Sequence, residues 1–66
     1  MKVWLNGAAV DAREAETIAE LAERYRLAPH TVLVEHNGVA LHQREWLGQP
    51  LHESDRIEFI RVVAGG

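Results

Sequence analysis

Asn-Gly occurs twice in this chain, at Asn6-Gly7 and Asn37-Gly38, and each pair closes a run of alternating residues. No other feature constrains the fold as strongly. A two-residue hairpin loop needs positive φ at both central positions, and Asn-Gly meets that need with a backbone twist that matches the flanking strands. In "MKVWLNG", Val3 and Leu5 point one way and Lys2, Trp4 and Asn6 the other, so one face is buried. A second strand, about Ala8 to Arg13, returns from the turn. In "TVLVEHNGVAL", Val32 and Val34 share a face, and another strand follows Gly38.

Between the hairpins, "TIAELAERYRLAP" carries a helical period. Thr17 is suited to the N-cap, and Glu20 three residues on completes a capping box. Ile18, Leu21, Ala22 and Tyr25 form one apolar stripe. Glu20, Glu23 and Arg24 lie on the wet side, with Glu20 and Arg24 at pairing distance. Pro29 ends the segment. "QREWLGQPLHESD" is irregular, punctuated by Gly48 and Pro50, with a short turn of helix before the last strand. In "RIEFIRVV", Ile57 and Phe59 point inward, and Glu58, Ile60 and Val62 outward.

The expected fold is α+β: a mixed sheet in ββαββ order with one main helix on one face. A single helix covers a single face. Val3, Leu5, Val32, Val34, Ile57 and Phe59 therefore meet the helix stripe. Trp4, Glu35, Glu58, Ile60 and Val62 project from the bare face, where exposed apolar area marks an interface and the two carboxylates suit basic groups on a partner. Trp46, in the irregular segment, is expected to plug one end of the core. Asp55 is expected to fix a turn, and His30, His36, His42 and His52 to be scattered surface residues.

Size and charge narrow the function. The chain has 66 residues and reads as one domain, 1–66. Ligand clefts need about 300–1,000 Å³, and so small a core has no such volume to spare, which favours a macromolecular partner over stand-alone catalysis. The formal charge is −3, and Lys2 is the only lysine, which speaks against nucleic acid. Cysteine is absent, so there is no thiolate nucleophile and no Cys-based metal site. No signal segment or membrane-length apolar run is visible, so a cytoplasmic protein is the expectation.

The last strand leads into "VVAGG". Gly65 and Gly66 gain no burial and are costly to order. A mobile tail over 63–66, with Val63 and Ala64 at its root, is thin enough to thread another protein's active site and presents an open terminal carbonyl.

These residues resemble the ubiquitin-like sulfur carriers of the ThiS family, whose fold is the β-grasp. "VWLNG" resembles that family's opening strand and turn, and Thr17-Ile18 with Leu21 its helix start. "VEHNG", with Trp46 eight residues past the glycine, resembles its middle block, "SDRIEF" the stretch before its last strand, and "VVAGG" its end. His42-Gln43 stands where the family commonly has Pro-Arg, Ser54 where it has Gly, and Ala64 where a third glycine is frequent. The resemblance implies a carrier protein that is not itself an enzyme and binds no cofactor. An E1-like adenylyltransferase of the ThiF type would use ATP-Mg to adenylate Gly66. A cysteine desulfurase or other sulfur donor would then convert it to a thiocarboxylate, and thiazole synthase of the ThiG type would take the sulfur for thiamine. Two alternatives keep the same terminus: delivery of sulfur to molybdopterin or tRNA, and conjugation of Gly66 to proteins as a modifier.

Overall fold

In the computed structural model, which describes residues 1–62, both Asn-Gly pairs make the turns that their sequence requires. Asn6 and Gly7 have φ of 50° and 85°, and Asn37 and Gly38 of 52° and 85°. The first turn joins β1 (Lys2–Leu5) to β2 (Ala8–Asp11), and the second joins β3 (Val32–His36) to β4 (Val39–Leu41). Each turn asparagine also reaches the last strand, β5 (Arg56–Arg61). Asn6 Oδ1 accepts from the Phe59 N–H at 2.8 Å, and its Nδ2 donates to the Phe59 carbonyl at 3.3 Å. Asn37 Oδ1 accepts from the Arg56 N–H at 2.8 Å. The two amides thus continue the ladders along β5 where the neighbouring strands turn away.

The sheet order is β2-β1-β5-β3-β4. The strand that comes last in the chain lies in the middle, parallel to β1 and antiparallel to β3. Along the chain the order is ββαβββ. The α+β class and the β-grasp architecture stand, but ββαββ undercounts the strands by one. The strand expected after Gly38 is there as β4, three residues long, so the five strands named from the sequence are all present and only the order ββαββ leaves one out.

The helix, α1, runs Ile18–Arg24, with Thr17 at its N-cap accepting from the Glu20 N–H at 3.2 Å. Glu20 departs from the expected capping box. Its carboxylate accepts from the Glu16 N–H at 2.8 Å, one residue further back. The expected Glu20–Arg24 pair does not form among the described residues, because Arg24 Nη1 donates to the Asp11 carbonyl at 3.2 Å instead. The helix also stops before Pro29. Arg26 takes φ of 57°, its N–H bonds the Glu23 carbonyl at 2.9 Å, and the Leu27 N–H bonds the Ala22 carbonyl at 3.0 Å. This is a Schellman ending, whose left-handed position favours glycine. Arg26→Gly is expected to raise stability by about 1 kcal/mol by removing the Cβ clash of the left-handed region, read as a higher urea midpoint at unchanged slope.

Val3, Ile18, Leu21, Val34 and Ile57 are the largest fully buried side chains. Leu5, Leu27 and Phe59 pack on them from the margin. The segment between β4 and β5 crosses the N-terminus of α1 and satisfies its free N–H groups: Ile18 donates to the Gln49 carbonyl at 3.0 Å and Ala19 to that of Trp46 at 3.1 Å. The expected short turn of helix is a 3-10 turn at Gln43–Glu45. Trp46 plugs this end of the core, 3% exposed, and its indole N–H has no partner among the described residues.

Candidate functional site

The face of the sheet away from α1 is the candidate site. Cross-strand register fixes which side chains meet there: Trp4 pairs with Arg56, Glu35 with Glu58, and Leu33 with Ile60. The face is therefore zoned along β5. Arg56 comes first, then the two carboxylates, then an apolar end of Leu33, Ile60 and Val62, which are 58%, 43% and 45% exposed. Val62 is held by its N–H donating to the Thr31 carbonyl at 2.8 Å. The apolar end thus borders the root of residues 63–66.

All five residues expected on the bare face are there, but they do not form one patch. Trp4 lies beside Arg56, four residues along β5 from Ile60, or roughly 13 Å at the rise of a strand. Leu33 replaces it as the partner of Ile60. The alternation of Val32 and Val34 already places Leu33 outward, so the signal was in the sequence. Val63, Ala64, Gly65 and Gly66 lie outside the described residues.

Trp4 instead walls a groove of about 450 Å³, lined also by Gly7, Glu35, Asn37, Gly38, Arg56, Ile57 and Glu58. The expectation that so small a domain holds no ligand-sized volume concerned the core, and this groove leaves it untouched. The groove is a surface trough between the two Asn-Gly turns, walled mainly by outward side chains and not hollowed from the core.

Asn37 links the groove to a buried polar cluster. Its Nδ2 donates to Asp55 Oδ1 at 3.1 Å. Asp55 Oδ2 lies 2.7 Å from His36 Nε2 and accepts from the His52 N–H at 2.8 Å. An ionised carboxylate only accepts, so the His36 proton sits on Nε2, and Nδ1 accepts from the Gln49 amide at 3.1 Å. His36 is thus no surface histidine. Its side chain points inward with Val32 and Val34, 8% exposed, and the segment between β4 and β5 closes over it. Asp55 fixes the turn from His52 as expected, and it also holds the ends of β3 and β5 together.

Burial raises the Asp55 pKa, but hydrogen bonds from His36, Asn37 and the His52 backbone outweigh it and hold the carboxyl below its ordinary value. The folded value is therefore the lower one. Asp55 stabilises the fold fully above its ordinary 3.8 and loses that contribution as pH falls through the folded value. Urea midpoints taken from about pH 5 down to about pH 2 are expected to fall more steeply for the native chain than for Asp55→Asn. Parallel curves would show that Asp55 is not a source of the acid sensitivity.

No group of three or more His, Asp or Glu side chains is placed to hold a metal among the described residues. No helix there is long and apolar enough to cross a membrane.

Comparison with known proteins places this geometry. The model of the ThiS family matches residues 3–66. A crystal structure described as a thiamine biosynthesis protein (ThiS) from Geobacter metallireducens superposes at a TM-score of 0.82, with 28% identity over 100% of both chains. The solution NMR structure of a thiamine biosynthesis protein from the same organism superposes at 0.78, with 28% identity over 100% of this chain and 88% of that one. No curated protein matches the chain.

Proposed function

This chain belongs to the ThiS family, and from that premise we propose that it is the sulfur carrier for the thiazole ring of thiamine. The observation that carries the reading is the family match, which runs through the body of the fold to Gly66. At neutral pH a free terminal carboxylate is ionised, with a pKa near ~3.5, and is a poor acyl donor. The activating enzyme corrects this. A carboxylate oxygen of Gly66 attacks the α-phosphorus of ATP, pyrophosphate leaves, and a mixed anhydride with AMP results. A persulfide sulfur on the donor then attacks the Gly66 carbonyl and expels AMP. A second thiol reduces the resulting acyl disulfide at its S–S bond and releases the thiocarboxylate, which thiazole synthase consumes.

The chain supplies a terminus and a docking surface; ATP, Mg²⁺ and the catalytic groups belong to its partners. The apolar end of the bare face, with Ile60 and Val62, lies beside the residues that enter the partner's channel, so docking there positions the tail. Trp4, Glu35 and Glu58 supply the polar half of the same contact.

Intact mass spectrometry tests this reading. The protein is incubated with ATP-Mg, a sulfur source and the E1-like enzyme of its host. The expected result is a mass gain equal to one oxygen replaced by sulfur, localised to Gly66, followed by loss of that sulfur to thiazole synthase. No gain, with the enzyme active on another carrier, would overturn it. A loaded carrier that thiazole synthase leaves untouched would redirect the sulfur to another acceptor.

A further inference from the structure

We propose that the groove between the two Asn-Gly turns binds one arginine side chain of a partner protein, laid against Trp4 and paired with Glu35 and Glu58. This deepens the docking role given above to this face and rests on it.

Glu35 and Glu58 stand directly opposite each other on β3 and β5. Like charges so placed destabilise a sheet. Neither carboxylate forms an ion pair among the described residues, so no direct pairing offsets the repulsion in the free protein. Cβ atoms of such a pair are about 4.5–5.5 Å apart, close enough for one cation to serve both carboxylates. Arg56 lines the same groove. Among the side chains that line the groove, two carboxylates face one guanidinium, with the Lys2 ammonium outside that lining over the Trp4 ring; a cation set between the two carboxylates completes the groove.

Trp4 makes that cation an arginine. The ring is 38% exposed and already holds one cation, the Lys2 ammonium, 4.8 Å from its centroid. A guanidinium is planar. It stacks on an aromatic surface while its N–H fork addresses carboxylates, and an ammonium cannot do both. The approach is open, because Gly7 and Gly38 border the groove and a Cβ on either would meet nothing within 4 Å. A metal ion is the poorer occupant, since no third ligand stands near the pair among the described residues.

The test is an amide-resolved NMR titration of the full chain with N-acetyl-arginine amide, with N-acetyl-citrulline amide as the neutral, near-isosteric control. Arginine amide is expected to give saturable shifts at the Trp4 indole N–H and at the Gly7, Gly38, Glu35 and Glu58 amides. Citrulline amide is expected to give none. The E35Q/E58Q variant is expected to bind arginine amide at least about tenfold more weakly, the loss of charge-assisted hydrogen bonds. Each single variant, E35Q or E58Q, is expected to melt at a higher temperature than the native chain as the repulsion disappears. Absence of saturable shifts, equal shifts with citrulline, or unchanged binding by the double variant would each overturn the proposal. So would a lower melting temperature in both single variants, since it would show the glutamates to be partnered already in the free protein. The citrulline contrast needs no variant and stands whether or not one folds. Sulfur loading is read separately by mass, so a carrier without an arginine site and an arginine site on a non-carrier give different results.

Discussion

Asp55→Ala is expected to lower the free energy of unfolding by about 3 kcal/mol. The carboxylate accepts from His36, Asn37 and the His52 backbone. Truncation leaves all three donors without a partner at a site where Asp55 and His36 are each 8% exposed. At roughly 0.05–0.15 kcal/mol per residue, a chain of this length has about 3–10 kcal/mol in total. The substitution therefore removes roughly 30% of the stability or more, and a urea transition near neutral pH reads it directly. Asp55→Asn, which keeps the shape and one acceptor, is expected to cost less. A loss under about 1 kcal/mol in the alanine variant would mean that water replaces the carboxylate, and that the cluster is not what joins β3 to β5.

Gly66→Ala is expected to slow thiocarboxylate formation on the order of 10²-fold, the penalty typical of displacing a reacting group by about 1 Å. On the mechanism proposed above, the added methyl would stand beside the carbonyl to be adenylated, inside a partner's channel shaped for a chain without side chains. The urea midpoint is expected to equal that of the native chain, which separates chemistry from folding. Ala64→Gly, two residues back, restores the three-glycine end common in the family and is expected to load at close to the native rate. Time-resolved intact mass gives both rates. Full loading by Gly66→Ala would remove the steric reason for a glycine terminus and move the modifier reading forward.

The parts of this fold that were legible in the sequence are those decided within a few residues. The Asn-Gly turns, the inward pairs Val3–Leu5, Val32–Val34 and Ile57–Phe59, and the Thr17 cap all follow from local stereochemistry. The misses are decided by chain that arrives from elsewhere. Glu20 and Arg24 satisfy the pairing rule for a lone helix, yet Arg24 finds the Asp11 carbonyl across the loop and Glu20 the Glu16 N–H. His36 continues the inward alternation of β3, but a polar side chain in that position reads as exposed unless the path of residues 42–55 is known. Ser54 shows a third kind of limit. The family commonly has glycine there, and the reason is visible only in its backbone, which takes φ of 69°. Of the site, the five residues proposed for docking could be assigned to a face, but not to the separate groove and apolar end that register creates.

The central place of β5 has a consequence for biosynthesis. Both neighbours of β5 in the sheet, β1 and β3, are made earlier, and they share no ladder of their own: within the sheet, the hairpins of β1–β2 and β3–β4 are joined through β5. A nascent chain still lacking Arg56 to Arg61 is two isolated hairpins and a short helix, none of which is stable alone in water. The body of this protein therefore cannot form ahead of β5. Folding waits until the ribosome has released Arg56 to Arg61, so on the function proposed above an activating enzyme that recognises the assembled sheet would meet only chains in which β5 is already made.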